Sequence, residues 1–338
     1  MQRQLALDCA RGFTVLFIPA IHTVMLYSKL EVHDTVFGYL LRFIAEGPGA
    51  QVFMTIMGLV FTFKKRHSAI FILKRSALLL LVGYTLNALK FIMPFLLGGL
   101  PSAVQHELQL TQGNEITQLL LMGDILHFAA IALVILHFIY RIKNYWFWSM
   151  VLSAIVLILA PYLFDKGDIY LTRLFTGAPP RVFFPILSWI VYPLIGLAIG
   201  YGYQRRRDST VNYLLTAGLL TLVVGIAGTL NTGQLSPMGF YRPCPAESLI
   251  HIAIVLLTLW FWEKLTPLVA HTNFFALLVF CSRHITIIYV VQWIFICWLL
   301  PFTGYQTMNL YQSVMMSVYT SVITYAITYF IINRKLVS

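Results

Sequence analysis

The residues best placed to do chemistry in this chain are Arg11 and His22. They lie in one apolar run, Leu7-Asp8-Cys9-Ala10-Arg11-Gly12 followed by Ile21-His22. A guanidinium and an imidazole inside a bilayer span are costly, and such groups mark a functional site or a buried pair. Eleven helical steps separate them by ~16 Å along the axis. One group therefore sits near one membrane face and the other well inside. Neutral imidazole can take a proton from a hydroxyl or amine as it attacks a carbonyl. Guanidinium can receive an anionic ligand. A catalyst that reaches across a bilayer needs this layout.

Other polar groups could join them. Asp8 and Arg11 stand at i and i+3 on one helical face. They read either as a local ion pair at the inner interface or as an anion-binding arginine oriented by its neighbour. Asp124 and His127 have the same spacing, in Gly123-Asp124-Ile125-Leu126-His127-Phe128. Facing the bundle interior, they could form an acid–imidazole pair or contact a ligand. A buried structural pair is the plainer alternative. Arg283 and His284 interrupt the ninth apolar segment. Arg283 could meet a phosphate or snorkel to the interface. Tyr289 and Gln292 follow on the same helix, and either could donate to a carbonyl oxygen. Lys74 and Arg75 add positive charge at the inner mouth. His33, Asp34, His106 and Glu107 lie in outer loops, where they could bind an acceptor or simply be solvated. Arg205, Arg206 and Arg207 read best as an inner anchor that also touches anionic lipids. No HExxH, CxxC, glycine-rich phosphate loop or nucleophile elbow appears, so no metal is expected.

The elements that must position these groups are membrane helices. The chain has 338 residues, 59% hydrophobic and 10% charged, against roughly 25% charged in soluble domains. The net charge of +11 falls in short clusters between apolar spans and does not point to nucleic acid. Three of the cysteines, Cys9, Cys281 and Cys297, lie in apolar segments and only Cys244 in a loop, so no disulfide framework is implied. The first apolar run keeps Asp8 and Arg11 and lacks a small-residue cleavage site, so it does not read as a signal peptide.

The hydropathy pattern predicts an all-α polytopic protein, about ten spans in one bundle and a single domain over 1–338. The spans run approximately Cys9–Tyr27, Ala50–Phe63, Ala69–Pro94, Ile116–Tyr140, Tyr145–Phe164, Val182–Tyr203, Val211–Leu230, Ser248–Trp262, Phe274–Leu300 and Leu310–Ile332. The second is expected to begin before Gly47, and the ninth to break near Cys281–His284. About 14 basic residues fall on one side and about six on the other, which makes both termini cytoplasmic. The protein is expected in the cytoplasmic (inner) membrane.

The first-helix pattern, Leu-Asp-x-x-Arg-Gly and then a histidine ten residues beyond the arginine, resembles the transmembrane acyltransferase superfamily. Four further segments resemble its heparan-alpha-glucosaminide N-acetyltransferase-like branch. They are Val52–Gly58, Leu73-Lys74-Arg75 with Leu79–Gly83, Gly123–Phe128, and Phe184–Trp189 with Gly196 and Gly200. Tyr289–Gln292 looks like that branch's Tyr-x-x-His. The sequence departs from the branch at Gln292, where histidine is usual, at His127, where glutamine is usual, and at His284, near a usual asparagine. The resemblance implies transfer of an acyl group, usually acetyl, from cytoplasmic acyl-CoA to a sugar or other acceptor across the membrane. His22 would correspond to the catalytic histidine and Arg11 to the arginine of the motif.

The expected mechanism is direct transfer. Acyl-CoA enters from the cytoplasm, its phosphates meeting Arg11, Lys74, Arg75 and Arg283, with Asp8 orienting Arg11 and Tyr289 beside the donor. His22 acts as general base, with Asp124, His127 and Gln292 as further catalytic candidates. The expected partners are acyl-CoA, a glycan acceptor and membrane lipids, and homodimerisation is left open. The competing class is a multi-span transporter or flippase, which also carries charged residues at mid-membrane.

Overall fold

The computed structural model describes residues 4–64, 68–166, 169–233 and 239–337, without the side chains of 335–337. Three of the basic residues counted above, Arg3, Lys65 and Arg66, lie outside the described residues, as does the side chain of a fourth, Lys335. The described chain is α-helical, and eight helices are long and apolar enough to cross a membrane. It is therefore a multi-pass integral membrane protein.

The expected spans reappear with altered bounds. The second begins well before Gly47, since Val36–Ile44, a π-helical turn Ala45–Gly49 and Ala50–Phe61 run on continuously. The sixth and seventh form one helical run, Val191–Thr232, interrupted where Arg206 leaves helical geometry (φ −150°, ψ 76°). The fourth is shorter than expected. Glu115–Leu120 and Ile125–Tyr140 are separate helices, because the chain between them pairs with another segment. Gly123 N–H donates to Arg181 O and Gly123 O accepts from Phe183 N–H, both at 2.8 Å. The ninth breaks at His284 (φ −112°, ψ 19°), which divides Asn273–Arg283 from Ile285–Thr303.

The chain forms two compact units. The first contains residues 1–49, 85–120 and 266–338. Its first helix, Leu5–Tyr27, is surrounded by Val36–Ile44, Asn273–Arg283, Ile285–Thr303 and Leu310–Val337. Val15, Cys281 and Ile288 form a buried cluster there. Gly12 is required by a close approach, since a Cβ at this position would stand 2.6 Å from the backbone carbon of Leu278. Small residues of this kind let membrane helices pack backbone to backbone.

The second unit contains residues 50–84 and 121–265. The helix Ala50–Phe61 packs on the first half of Val191–Thr232, where Gly58 meets Pro193 and Gly196 meets Thr55. The second half of that run lies along Pro245–Val269, with Gly218 against Leu257 and Gly225 against Ala246. A buried arginine ties its loops together. Arg242 holds both carboxylate oxygens of Asp165 at 2.8 and 2.9 Å, and donates to Gly177 O at 2.8 Å and to Thr176 O. This pairing holds the Asp165 carboxyl below its ordinary value.

Candidate functional site around His22 and Arg11

Pro19 sits inside the first helix, one turn before His22. Proline has no N–H, so the carbonyl one turn back, Val15 O, loses its intrahelical donor. In an apolar medium a freed carbonyl must find another. The Tyr325 hydroxyl from the last helix reaches this turn, donating to Leu16 O at 2.6 Å with Val15 O at 3.4 Å. Thr23 adds a bond to Pro19 O at 2.7 Å and a second, also 2.7 Å, to the Thr320 hydroxyl. The first helix around His22 is thus held at two points by the last helix.

The His22 ring lies on the indole of Trp293, centroids 4.1 Å apart and planes at 28°. Tyr289 meets the ring edge-on at 6.2 Å. His22 Nδ1 is 3.0 Å from Gln292 Oε1. The tautomer follows from the next bond. Gln292 Nε2 donates to Tyr289 O at 3.2 Å, which turns the amide oxygen toward the imidazole. An amide oxygen only accepts, so Nδ1 carries the proton and Nε2 is the basic nitrogen of neutral His22. Gln292 therefore orients the ring, with one of its two amide N–H groups on Tyr289 O.

Lys90 is the neighbour that the sequence reading missed. It is 4% exposed, and its Nζ lies 4.6 Å from the centre of the same Trp293 ring. It stands in a π-helical turn, Ala88–Ile92, and such turns recur at functional sites. A lysine within the apolar run Ala69–Pro94 was the available signal. Trp293, Ser282 and Tyr325 gave none, since each is ordinary in a membrane helix.

Nearer the start of the first helix, Asp8, Arg11 and Ser282 form a closed triangle. Arg11 Nη2 donates to Asp8 Oδ1 at 3.0 Å, Arg11 Nε to Ser282 Oγ at 2.9 Å, and Ser282 Oγ to Asp8 Oδ1 at 2.8 Å. The broken ninth segment brings Ser282 there through the Gly12–Leu278 contact. Arg283, the next residue, is exposed and turns to an apolar cavity.

His33 belongs to the same unit and ends the short helix Leu30–His33. Its Nε2 is buried and makes no hydrogen bond among the described residues. Burial pushes it below the ordinary imidazole value, Arg42 adds to that, and Asp34 opposes it. His106 and Glu107 are exposed.

Asp124, His127, Lys74 and Arg75 belong to the second unit. Asp124 caps Ile125–Tyr140, with Ile125 N–H donating to its Oδ1 at 2.7 Å. His127 Nδ1 accepts the Asp124 N–H at 3.2 Å, which completes a capping box and puts the ring proton on Nε2. The imidazole packs edge-on to Tyr84 at 4.5 Å, and the Tyr84 hydroxyl is 2.8 Å from that of Tyr170. Lys74 and Arg75 are exposed on Ala69–Asn87.

Residues 3–230, more than half of the chain, match the catalytic-domain model of heparan-alpha-glucosaminide N-acetyltransferase. The chain belongs to that family. It is thus a membrane protein of an acetyltransferase family, and the match takes in the first-helix motif with Asp8, Arg11 and His22. Comparison with curated proteins and with solved structures gives no match. Gln292 lies beyond the matched residues.

Proposed function

We propose that the chain is an acetyl-CoA-dependent O- or N-acetyltransferase of the cytoplasmic membrane, with cytoplasmic termini, that acts on a sugar-type acceptor from the outer side. The observation that carries this reading is the fixed His22 tautomer, with Gln292 on Nδ1 and the basic Nε2 opposite. A hydroxyl or amine of the acceptor gives its proton to Nε2 as it attacks the thioester carbonyl. The tetrahedral intermediate collapses, the carbon–sulfur bond breaks, and the thiolate takes the proton back from the imidazolium. This direct route forms no covalent enzyme intermediate. Arg11, held by Asp8 and Ser282, meets the anionic part of the donor. The residues used all belong to the first unit.

A second reading gives the proton transfer to His33. What favours it is the buried Nε2 without a hydrogen bond among the described residues, on an imidazole whose neutral form burial favours.

The test is acetyl-CoA binding and slow thioester hydrolysis by purified protein, wild type beside His22→Ala and His33→Ala. Binding by all three, with hydrolysis lost only in His22→Ala, supports the first reading. Loss only in His33→Ala moves the base there. Failure of well-folded wild type to bind any acyl-CoA overturns both, and solute counterflow in vesicles would then establish a carrier.

A further inference from the structure

A cavity of about 380 Å³ opens on the first unit beside the start of the first helix. Leu5, Phe275, Ala276 and Phe280 give it an apolar wall, and Arg283 and His284 stand at one end. Leu5, Phe274 and Leu277 around it are exposed, and Tyr329 and Phe330 of the last helix are more so. On a membrane helix such residues face lipid. The Phe280 ring lies 6.4 Å from Tyr329, so the last helix borders the groove. That helix runs antiparallel to the first, since Ser28 bonds Ser313, Thr23 bonds Thr320 and Tyr325 bonds Leu16 O. Arg334, stacked on Phe330 at 4.4 Å, therefore lies toward the end of the unit that holds Leu5 and Arg283.

An apolar trough in the hydrocarbon layer, with exposed guanidinium groups at its end, has the charge and polarity pattern of a phospholipid with an anionic head. We propose that this groove binds an anionic glycerophospholipid of the surrounding bilayer, one acyl chain lying against Leu5, Phe275, Ala276 and Phe280 and the phosphate meeting Arg283. Acyl-CoA fits the groove less well, because its diphosphate and nucleotide would face an apolar wall. The lipid has a structural consequence. Arg283 follows Ser282 in the same helical turn, and Ser282 closes the triangle with Asp8 and Arg11. A lipid held at Arg283 therefore fixes the register of the helix that completes this triangle.

The test uses the full chain, delipidated in detergent and titrated with phosphatidylglycerol or phosphatidylcholine. Bound lipid is counted by native mass spectrometry and stability is read by thermal melting. Phosphatidylglycerol is expected to bind more tightly and to raise the melting midpoint. Arg283→Gln, a change at an exposed position, should weaken phosphatidylglycerol roughly fivefold and phosphatidylcholine less, since its choline ammonium already offsets the phosphate charge. Ala276→Trp, which fills the trough from an exposed position, should lower occupancy by both lipids. An unchanged headgroup preference in Arg283→Gln would overturn the proposal. So would inorganic phosphate alone reproducing the shift, or acetyl-CoA displacing the lipid in wild type but not in Arg283→Gln. None of these readouts depends on acetyl transfer, so the proposal stands or falls apart from the enzymatic reading.

Discussion

Replacing Gly12 by alanine tests the close contact on which the Arg11 cluster depends. The added methyl carbon would stand 2.6 Å from Leu278 C and nearer still to its oxygen, where ordinary contact begins at 3.4 Å. The first helix and Asn273–Arg283 must then part by at least 3.4 − 2.6, about 0.8 Å. The same displacement carries Ser282 from 2.8 Å toward 3.6 Å of Asp8 Oδ1, beyond hydrogen-bonding range. Overpacking of this kind costs about 1–3 kcal/mol. The alanine recovers roughly 1 kcal/mol through its better helix propensity. The loss of charge-assisted bonds at Arg11 offsets that gain by about 1.5–3 kcal/mol. The net expectation is destabilisation of roughly 1.5–5 kcal/mol, seen as a lower melting midpoint in detergent, with weaker acetyl-CoA binding. The obstacle is backbone, so truncating the side chain in Gly12→Ala/Leu278→Ala should give no relief. A Gly12→Ala protein that melts at or above the wild-type midpoint would refute the reasoning, as would rescue by the Leu278 change.

Gln292→Leu removes the acceptor that fixes the His22 tautomer. Thioester turnover should fall by roughly 10²–10⁴-fold with folding kept, by analogy with misoriented catalytic imidazoles; an unchanged rate would show that the amide does not orient the ring. Tyr325→Phe removes the hydroxyl bond to Leu16 O and the 3.4 Å approach to Val15 O, which Pro19 leaves without an intrahelical donor. The expected cost is about 0.6–1.5 kcal/mol in thermal melting, with a smaller effect on turnover than Gln292→Leu. In the loops, the Asp165 carboxyl is held below its ordinary value of 3.8 by Arg242, so its contribution is present above that value and is lost as pH falls through the lowered one. The carboxylate is largely exposed, so Asp165→Asn should cost under about 1 kcal/mol at pH 7, and its melting should converge with wild type below pH 3.8. Arg242→Met should cost more at every pH, roughly 1–3 kcal/mol, because it strands Gly177 O in a buried place and leaves Thr176 O with the Asp165 N–H alone.

The helices were legible because apolar length alone predicts them, and the break at His284 was legible because Arg283 and His284 interrupt an apolar run. The split between Glu115–Leu120 and Ile125–Tyr140 was not, since it depends on Gly123 pairing with Arg181 and Phe183, a contact far along the chain. The Asp8–Arg11 pair followed from helical spacing, but its third member, Ser282, lies 271 positions beyond Arg11 and carries no local pattern. The i, i+3 spacing of Asp124 and His127 allowed either a reactive acid–imidazole pair or a buried structural one, and spacing alone does not reveal the helix-capping box that the two form. Lys90 was readable as a charge in an apolar span, but its partner Trp293 was not.

The family match ends at residue 230, whereas the side chains that seat His22 and Arg11 come from Ser282, Tyr289, Gln292, Trp293 and Tyr325. The stretch of recognised ancestry and the stretch of physical cooperation therefore do not coincide. A truncated protein cut to the matched residues would keep the whole first-helix motif and lose every one of these supports. Its histidine would be chemically intact and mechanically unheld. Changes in the final third of the chain should then alter the motif's behaviour without touching it, and Gln292, which holds His22 Nδ1, is where such coupled drift between the two stretches is to be sought first.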